Sequence, residues 1–427
     1  MRSSARLLSG VGCVAALLLP TAVTAQAVPL ARVPAADGKK GQELPGMPSS
    51  IDSDAACTPA SREKAKKQDW SRQRLDLDRL HGYSTGAGVT VALIDTGVDT
   101  GAAGLDGRVT ARGAGGDDCV GHGTFLAGLI AGAAGAAGAA GADGDGGDGA
   151  RLTGVAPGAK ILALRGTDER GQASSALVVA ALRAATEADA EVIAVSVALP
   201  RRDAELTRAV ADARRAGAVV VAAATPDPPR GAADEIPARS YWPAAEPGVL
   251  SVADMLPAGV RPDNALATSG IDLAAPGAGV VSGGPRGDGH YLGAGASVAT
   301  AYAAGAAAAV RAARPDDSPD EVARRLTATA YPADIPQLDP YAAVTTVLGE
   351  SGAAGGGERA ADPVTVRDTS AADRATDRAT LFVVLGTGGV LAVLWGAFAL
   401  PRARARGWRP ASASASARPV AAEADGD

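Results

Sequence analysis

GVTVALIDTGVD, residues 88–99, holds a nearly unbroken apolar run, then an aspartate, then a turn. A run of this length without polar alternation reads as a strand covered on both faces, as in a parallel sheet. Asp95 closes the run. Its carboxylate therefore stands at the carboxyl end of that strand, where open α/β sheets place their sites. An aspartate that merely initiates the Asp95-Thr96-Gly97 turn looks the same in isolation, so the rest of the chain has to decide.

Four further runs of the same kind follow, at 159–165, 191–199, 218–224 and 248–254. Helical text separates them: SSALVVAALRAATEAD at 174–189 and DAELTRAVADARRAGA at 203–218. Ser318-Pro319-Asp320-Glu321 is a capping box with proline at the first helical position, and it opens another helix. The alternation predicts an α/β domain, a central and mostly parallel sheet with helices on both faces, over residues 70–348.

The 427 residues leave room for such a core and for additional segments. Only 3% of residues are aromatic, while 55 are glycine, so the core is expected to be packed from small side chains. The formal net charge is −6 with no long basic block, which argues against nucleic acid as a partner. The short run REKAKKQ, 62–68, reads as the solvated face of a helix.

The two ends point to export and anchoring. Arg2 and Arg6 precede an apolar run from Leu7 to Leu19 and then small residues, the pattern of a secretory signal peptide over 1–27, with cleavage after Ala25 or Ala27. Residues 381–400 carry no charge and, as a helix, would be about 30 Å long, the thickness of a bilayer core. Arg402, Arg404, Arg406 and Arg409 follow, which places the tail, 401–427, on the cytoplasmic side. Between these lie an extended arm, 28–69, and a polar linker, 349–380. The Gly/Ala/Asp text at 132–149 reads as a surface loop, with no EF-hand spacing for calcium. Once the signal is removed, Cys57 and Cys119 are left. An exported pair points to one disulfide, worth about 4 kcal/mol by loop closure, with two free thiols as the alternative.

The chemistry must come from few residues. Of three histidines, His81 and His290 sit in turn-like text, whereas His122 is flanked by Gly121 and Gly123 and followed by an apolar helical run. Ser297, in Gly295-Ala296-Ser297, stands at the start of an alanine-rich helix. No metal-binding constellation and no cofactor motif is present in the sequence.

Taken together, Asp95, His122 and Ser297 resemble the subtilisin-like serine proteases, the subtilases. VALIDTGVD (91–99) is similar to their aspartate motif, and His122-Gly123-Thr124-Phe125-Leu126-Ala127-Gly128 matches H-G-T-x-x-A-G in full. Gly295–Ala301 matches G-T-S-x-A-x-P with alanine for threonine and for proline. The resemblance covers about residues 70–346. It implies a subtilisin-like three-layer fold, a Ser297 nucleophile, a His122 base oriented by Asp95, and acyl transfer on a peptide or protein substrate. It also implies that the strand around Ser196 pairs with the substrate. The signal peptide, the cysteine three residues before the histidine, the second cysteine in the arm and the C-terminal membrane helix resemble the mycosins, membrane-anchored proteases of type VII secretion complexes. In those, the arm wraps the catalytic domain, which a Cys57–Cys119 bond would secure here.

One part of the family pattern is missing. Subtilases complete the oxyanion hole with an asparagine after a strand like AVVVAAA, and Val221–Pro226 contains none. Asn264 is the only asparagine in the chain and lies elsewhere. Thr225 is the nearest replacement donor. Loss of the amide costs about 10²–10³ in kcat in the subtilisin case, so a slow or selective enzyme is expected.

Overall fold

Along Thr90–Asp95 consecutive side chains turn to opposite faces, and both faces are covered. Val91 and Leu93 join one buried cluster, Ala92 and Ile94 the other. This is the computed structural model of the chain, which describes residues 43–133, 152–227, 237–348 and 370–407. The expected signal sequence, the start of the arm, and most of the Gly/Ala/Asp loop, the linker and the tail lie outside the described residues.

In chain order the first unit contains α1 (Trp70–Arg74), α2 (Leu77–His81), β1 (Thr90–Asp95), β2 (Val109–Ala111), α3 (His122–Ala131) and β3 (Lys160–Arg165). It continues with α4 (Ser175–Thr186), β4 (Val192–Val195), α5 (Ala204–Arg215), β5 (Val219–Ala223), β6 (Leu250–Met255) and β7 (Leu273–Pro276). Then come β8 (Ala278–Gly283), β9 (His290–Ala294), α6 (Ala296–Ala313), α7 (Pro319–Ala328) and α8 (Pro340–Thr345). Among the described residues, seven strands form one sheet in the order β2-β3-β1-β4-β5-β6-β7, and all of its pairings are parallel. β8 and β9 make a separate antiparallel pair.

The sheet lies between two helical layers. Helices α3, α6 and α7 share a buried cluster with one face, α4 and α5 with the other. Local sequence sets where the helices begin. Ser174 accepts from the Leu177 amide, Asp203 from those of Glu205 and Leu206, and Ser318 and Glu321 form the expected capping box. Helix α6 is buried from Ala296 to Val310. Its alanines let the helix backbone lie close to β4, β5, β6 and β7.

The five expected strands are β1, β3, β4, β5 and β6, trimmed at their ends. β2, β7 and the β8–β9 pair lacked a signal. β2 is three residues long, and β7 reads LAAP, with no alternation and no β-branched residue.

The arm lies along the first unit. The Met47 amide donates to Leu292 O and the Leu292 amide to Pro45 O, so the arm pairs with β9. The Ile51 amide donates to Arg170 O. Cys57 and Cys119 are bonded, with an S–S distance of 2.03 Å. REKAKKQ is not helical. The Glu63 carbonyl accepts from the His290 amide, Ala65 N donates to His290 Nδ1, and Lys64 pairs with Asp288. Backbone groups that a helix would use internally are spent on the start of β9. Where the arm enters the domain, Arg72 and Asp69 form a buried ion pair at 3.0 Å.

The second unit, Gly349–Asp427, contains α9 (Ser370–Ala405), a 36-residue helix that includes the uncharged run 381–400. Along it Val383, Leu385, Leu391, Trp395 and Phe398 are exposed. Among the described residues no helix is long and apolar enough to cross a membrane; several side chains of the 381–400 run fall outside the described set.

Candidate active site

β1 is flanked by β3 on one side and β4 on the other, so the chain turns both ways from its carboxyl end. A crevice opens at such a reversal, and Asp95 stands there. His122 opens α3 and Ser297 lies in the first turn of α6, so each sits at a helix N-terminus.

The structure brings the three expected residues together. His122 Nδ1 is 3.0 Å from both Asp95 carboxylate oxygens, and His122 Nε2 is 3.1 Å from Ser297 Oγ. Asp95 and Ser297 are each 1% exposed and His122 5%, so the line of contacts is shielded from bulk water. Burial alone would push the Asp95 carboxyl up. The His122 charge and hydrogen bonds from His122, Ser196 and Thr96 override it and hold the group below its ordinary range.

A buried polar network fixes this geometry. Thr96 Oγ1 lies 3.0 Å from Asp95 Oδ1 and 2.9 Å from Asp118 Oδ1, two acceptors for its one proton, and accepts from the Gly123 amide at 2.9 Å. Asp118 accepts from the Gly121 and Thr124 amides at 2.7 and 2.9 Å, so it caps the end of α3 that carries His122. Burial pushes the Asp118 carboxyl up against those hydrogen bonds. The disulfide adjoins this cap, since the Thr58 amide donates to Cys119 O at 3.0 Å. Arg286 donates to Asp118 O at 2.9 Å and to Cys119 O at 3.2 Å.

Ser196 directly follows β4. Its hydroxyl donates to Asp95 Oδ2, behind the carboxylate, and the Ile94 carbonyl lies 3.0 Å from the same hydroxyl oxygen. Val192–Val195 are already paired on both sides, by β1 and β5, so a substrate strand has no open edge before Val195. His81 Nε2 sits 3.1 Å from the Gly154 and Val155 carbonyls. Asn264 is exposed in a turn.

Thr225 is buried, but the side chain that reaches Ser297 belongs to Asp227, two residues further on. Asp227 Oδ1 accepts from the Ser297 amide at 3.1 Å, and Oδ2 accepts from Ser297 Oγ at 2.7 Å. Oδ2 is also 3.4 Å from His122 Nε2. Gly295, at φ +129°, makes room for this carboxylate: a Cβ there would lie 1.9 Å from Asp227 Oδ1. Burial disfavours the His122 charge. The Asp95 and Asp227 carboxylates outweigh it and hold the imidazole well above its ordinary range. The readable signal for Asp227 was its place just past a buried parallel strand, the same signal that singled out Asp95.

The arrangement has the parts for acyl transfer: a hydroxyl next to an imidazole, an imidazole next to a carboxylate, and a helix N-terminus beside the hydroxyl. Comparison with known proteins agrees. The sequence model of the Subtilase family matches residues 86–377. Mycosin-3 of Mycobacterium tuberculosis is 30% identical over 327 residues, covering 61% of this chain and 66% of Mycosin-3. Mycosin-1 of the same organism is 30% identical over 321 residues, covering 61% and 68%. The matches thus span about two thirds of the length of these relatives. A solved structure of the serine protease MycP1, described as an essential component of the type VII (ESX-1) secretion system, superposes with a TM-score of 0.54. It is 30% identical, with 71% of this chain and 96% of that chain covered.

Proposed function

This chain belongs to the subtilase family, and from that premise we propose that it is a membrane-anchored, extracytoplasmic serine endopeptidase of the mycosin kind, working beside a type VII secretion complex. The observation that carries the reading is the unbroken line Asp95–His122–Ser297, with contacts of 3.0 and 3.1 Å in a buried site.

In this reading Ser297 Oγ bonds to the scissile carbonyl carbon while its proton passes to His122 Nε2. The carbonyl π pair moves to oxygen, and the Ser297 amide at the N-terminus of α6 receives the resulting oxyanion. Collapse breaks the C–N bond, and His122 gives the proton to the leaving amine. Water repeats the sequence on the acyl ester. Asp95, held in place by Ser196 and Thr96, fixes the imidazole orientation and stabilises its charge. Asp227, an acceptor when ionised, stands at the Ser297 amide where an amide donor would serve, which supports a slow or selective enzyme.

The anchor rests on sequence: the uncharged run 381–400, carried within α9, and the arginines that follow it. The leader-like residues 1–25 support export of the catalytic domain. The relatives named for type VII secretion support the partner.

Full-length chain in detergent, treated with a fluorophosphonate probe over a range of pH, tests the enzyme reading. The expected result is a covalent adduct that Ser297→Ala abolishes. Absence of any Ser297-dependent adduct would overturn it. A second reading is favoured by Asp227, which occupies the Ser297 amide: a subtilase-fold structural subunit with little turnover. That reading expects Ser297→Ala to support secretion fully where loss of the whole domain does not.

A further inference from the structure

The hydrogen bonds around Ser297 are those of a blocked site. A serine hydroxyl has one proton, and here it points to Asp227 Oδ2 at 2.7 Å rather than to the base. The Ser297 amide, the donor that would meet an oxyanion, is taken by Asp227 Oδ1 at 3.1 Å. An ionised carboxylate only accepts hydrogen bonds, so it cannot support a second negative oxygen at that amide. Its charge also favours the protonated imidazole, which cannot act as a base. Protonation reverses both effects, because a carboxylic acid carries an O–H donor and no charge.

Resting on the proteolytic reading above, we propose that Asp227 is the oxyanion-hole residue of this enzyme and acts only in its neutral form: ionised it fills the hole, protonated it donates to the oxyanion. Asp227 and His122 then compete for one proton. Turnover needs that proton on Asp227 and His122 neutral, whereas the resting ion pair has it on His122. With both protonated there is no base, and with both deprotonated there is no hole. Activity is therefore bell-shaped in pH, with a height set by the minor of two singly protonated arrangements.

Among the described residues, the charged and titratable groups facing Asp227 are few. His122 approaches from α3, with Asp95 of β1 behind it. Asp254 approaches from β6, where the Asp227 charge helps to push its carboxyl up, and Arg261 lies 3.8 Å beyond Asp254. The N-terminus of α6 presents the Ser297 amide.

The test is Asp227→Asn in the full-length chain, read as the second-order rate of fluorophosphonate labelling from pH 5 to 9. Asparagine has the same shape, keeps a donor at every pH and carries no charge. The expected result is labelling about 100-fold faster at neutral pH, the scale of one oxyanion donor. The alkaline limb should disappear and the acid limb should move to lower pH. Nitrogen-15 NMR of the imidazoles, of which the chain has three, should show His122 titrating at lower pH in the variant, a change that a purely structural role would not produce. If wild type labels through Ser297 and the variant labels at the same rate with the same profile, the proposal fails while the proteolytic reading stands. Slower labelling by a folded variant overturns it equally. If neither protein labels at any pH, both readings fall.

Discussion

Asp254 offers a test of the site's electrostatics that needs no substrate. Its side chain is 3% exposed at the end of β6, and its nearest cation, Arg261 Nη2, is 3.8 Å away. Burial, aided by Asp227, pushes the carboxyl up from its usual 3.8 to about 6, against the pull of Arg261. The folded chain thus keeps this proton up to about pH 6, while the unfolded chain releases it near 3.8. Between those values folding binds a proton, so stability falls as pH rises, and the full penalty is present above about 6. Moving a carboxyl over that interval corresponds to about 3 kcal/mol. Asp254→Asn keeps the shape and removes the charge. At pH 8 the variant should be more stable by about 3 kcal/mol at most, or about 5 °C in Tm for a domain of this size. At pH 3.5 the two proteins should melt together. Thermal unfolding of the full-length chain in detergent from pH 3.5 to 8 measures this. A gap that does not vary with pH, or a variant that melts lower at pH 8, would refute the reasoning.

Two other perturbations probe how the site is held. Serine at both Cys57 and Cys119 opens a 62-residue loop, with about 4 kcal/mol of closure entropy returned to the unfolded chain. The arm should loosen first, so brief trypsin treatment should cut at Lys66 or Lys67 in the variant and leave the oxidised wild type intact, as read by mass spectrometry; identical cleavage would count against a tethering role. Gly123→Ala places a Cβ 2.0 Å from Gly97 O and 3.1 Å from Asp95 Oδ1, which must force α3 away from β1. A displacement of about 1 Å at the base can cost about 10²-fold, so Ser297 labelling should fall by that order while most of the fold remains. Unchanged labelling would mean that α3 yields without moving His122.

The legible parts of the sequence were those where local chemistry and global position coincide. The runs that became β1, β3, β4, β5 and β6 are apolar because both faces of the sheet are covered, and that cause leaves a continuous trace. Ser318 and Glu321 announce their helix because a cap is a local hydrogen-bond problem. Asp95, His122 and Ser297 could be grouped because each sits in a motif shaped by a turn or a helix start. Asp227 escaped for the opposite reason. Its role comes from reaching across to α6, from the gap left by Gly295, and from the imidazole of a third element, and no short stretch records any of these. Thr225 is the residue nearest the expected register, yet the side chain that reaches Ser297 comes from beyond Pro226. Ser196 is legible only as a residue of its strand run, and the run does not record which way its side chain turns. The side chain turns inward because Asp95 needs donors. REKAKKQ has helical composition, but β9 offers its backbone other partners.

Helix α6 is buried along fifteen consecutive residues, from Ala296 to Val310, and most of them are alanine or glycine. Alanine and glycine have no side-chain rotamers, so such a helix cannot absorb a misfit by rotating a side chain. Any shift of a neighbouring strand moves the helix axis, and Ser297 moves with it. The abundance of small residues is therefore a mechanical tolerance. It exchanges the forgiving packing of larger cores for a nucleophile whose place is dictated by the sheet, and it makes the interior of this helix the region least able to accept a bulkier residue.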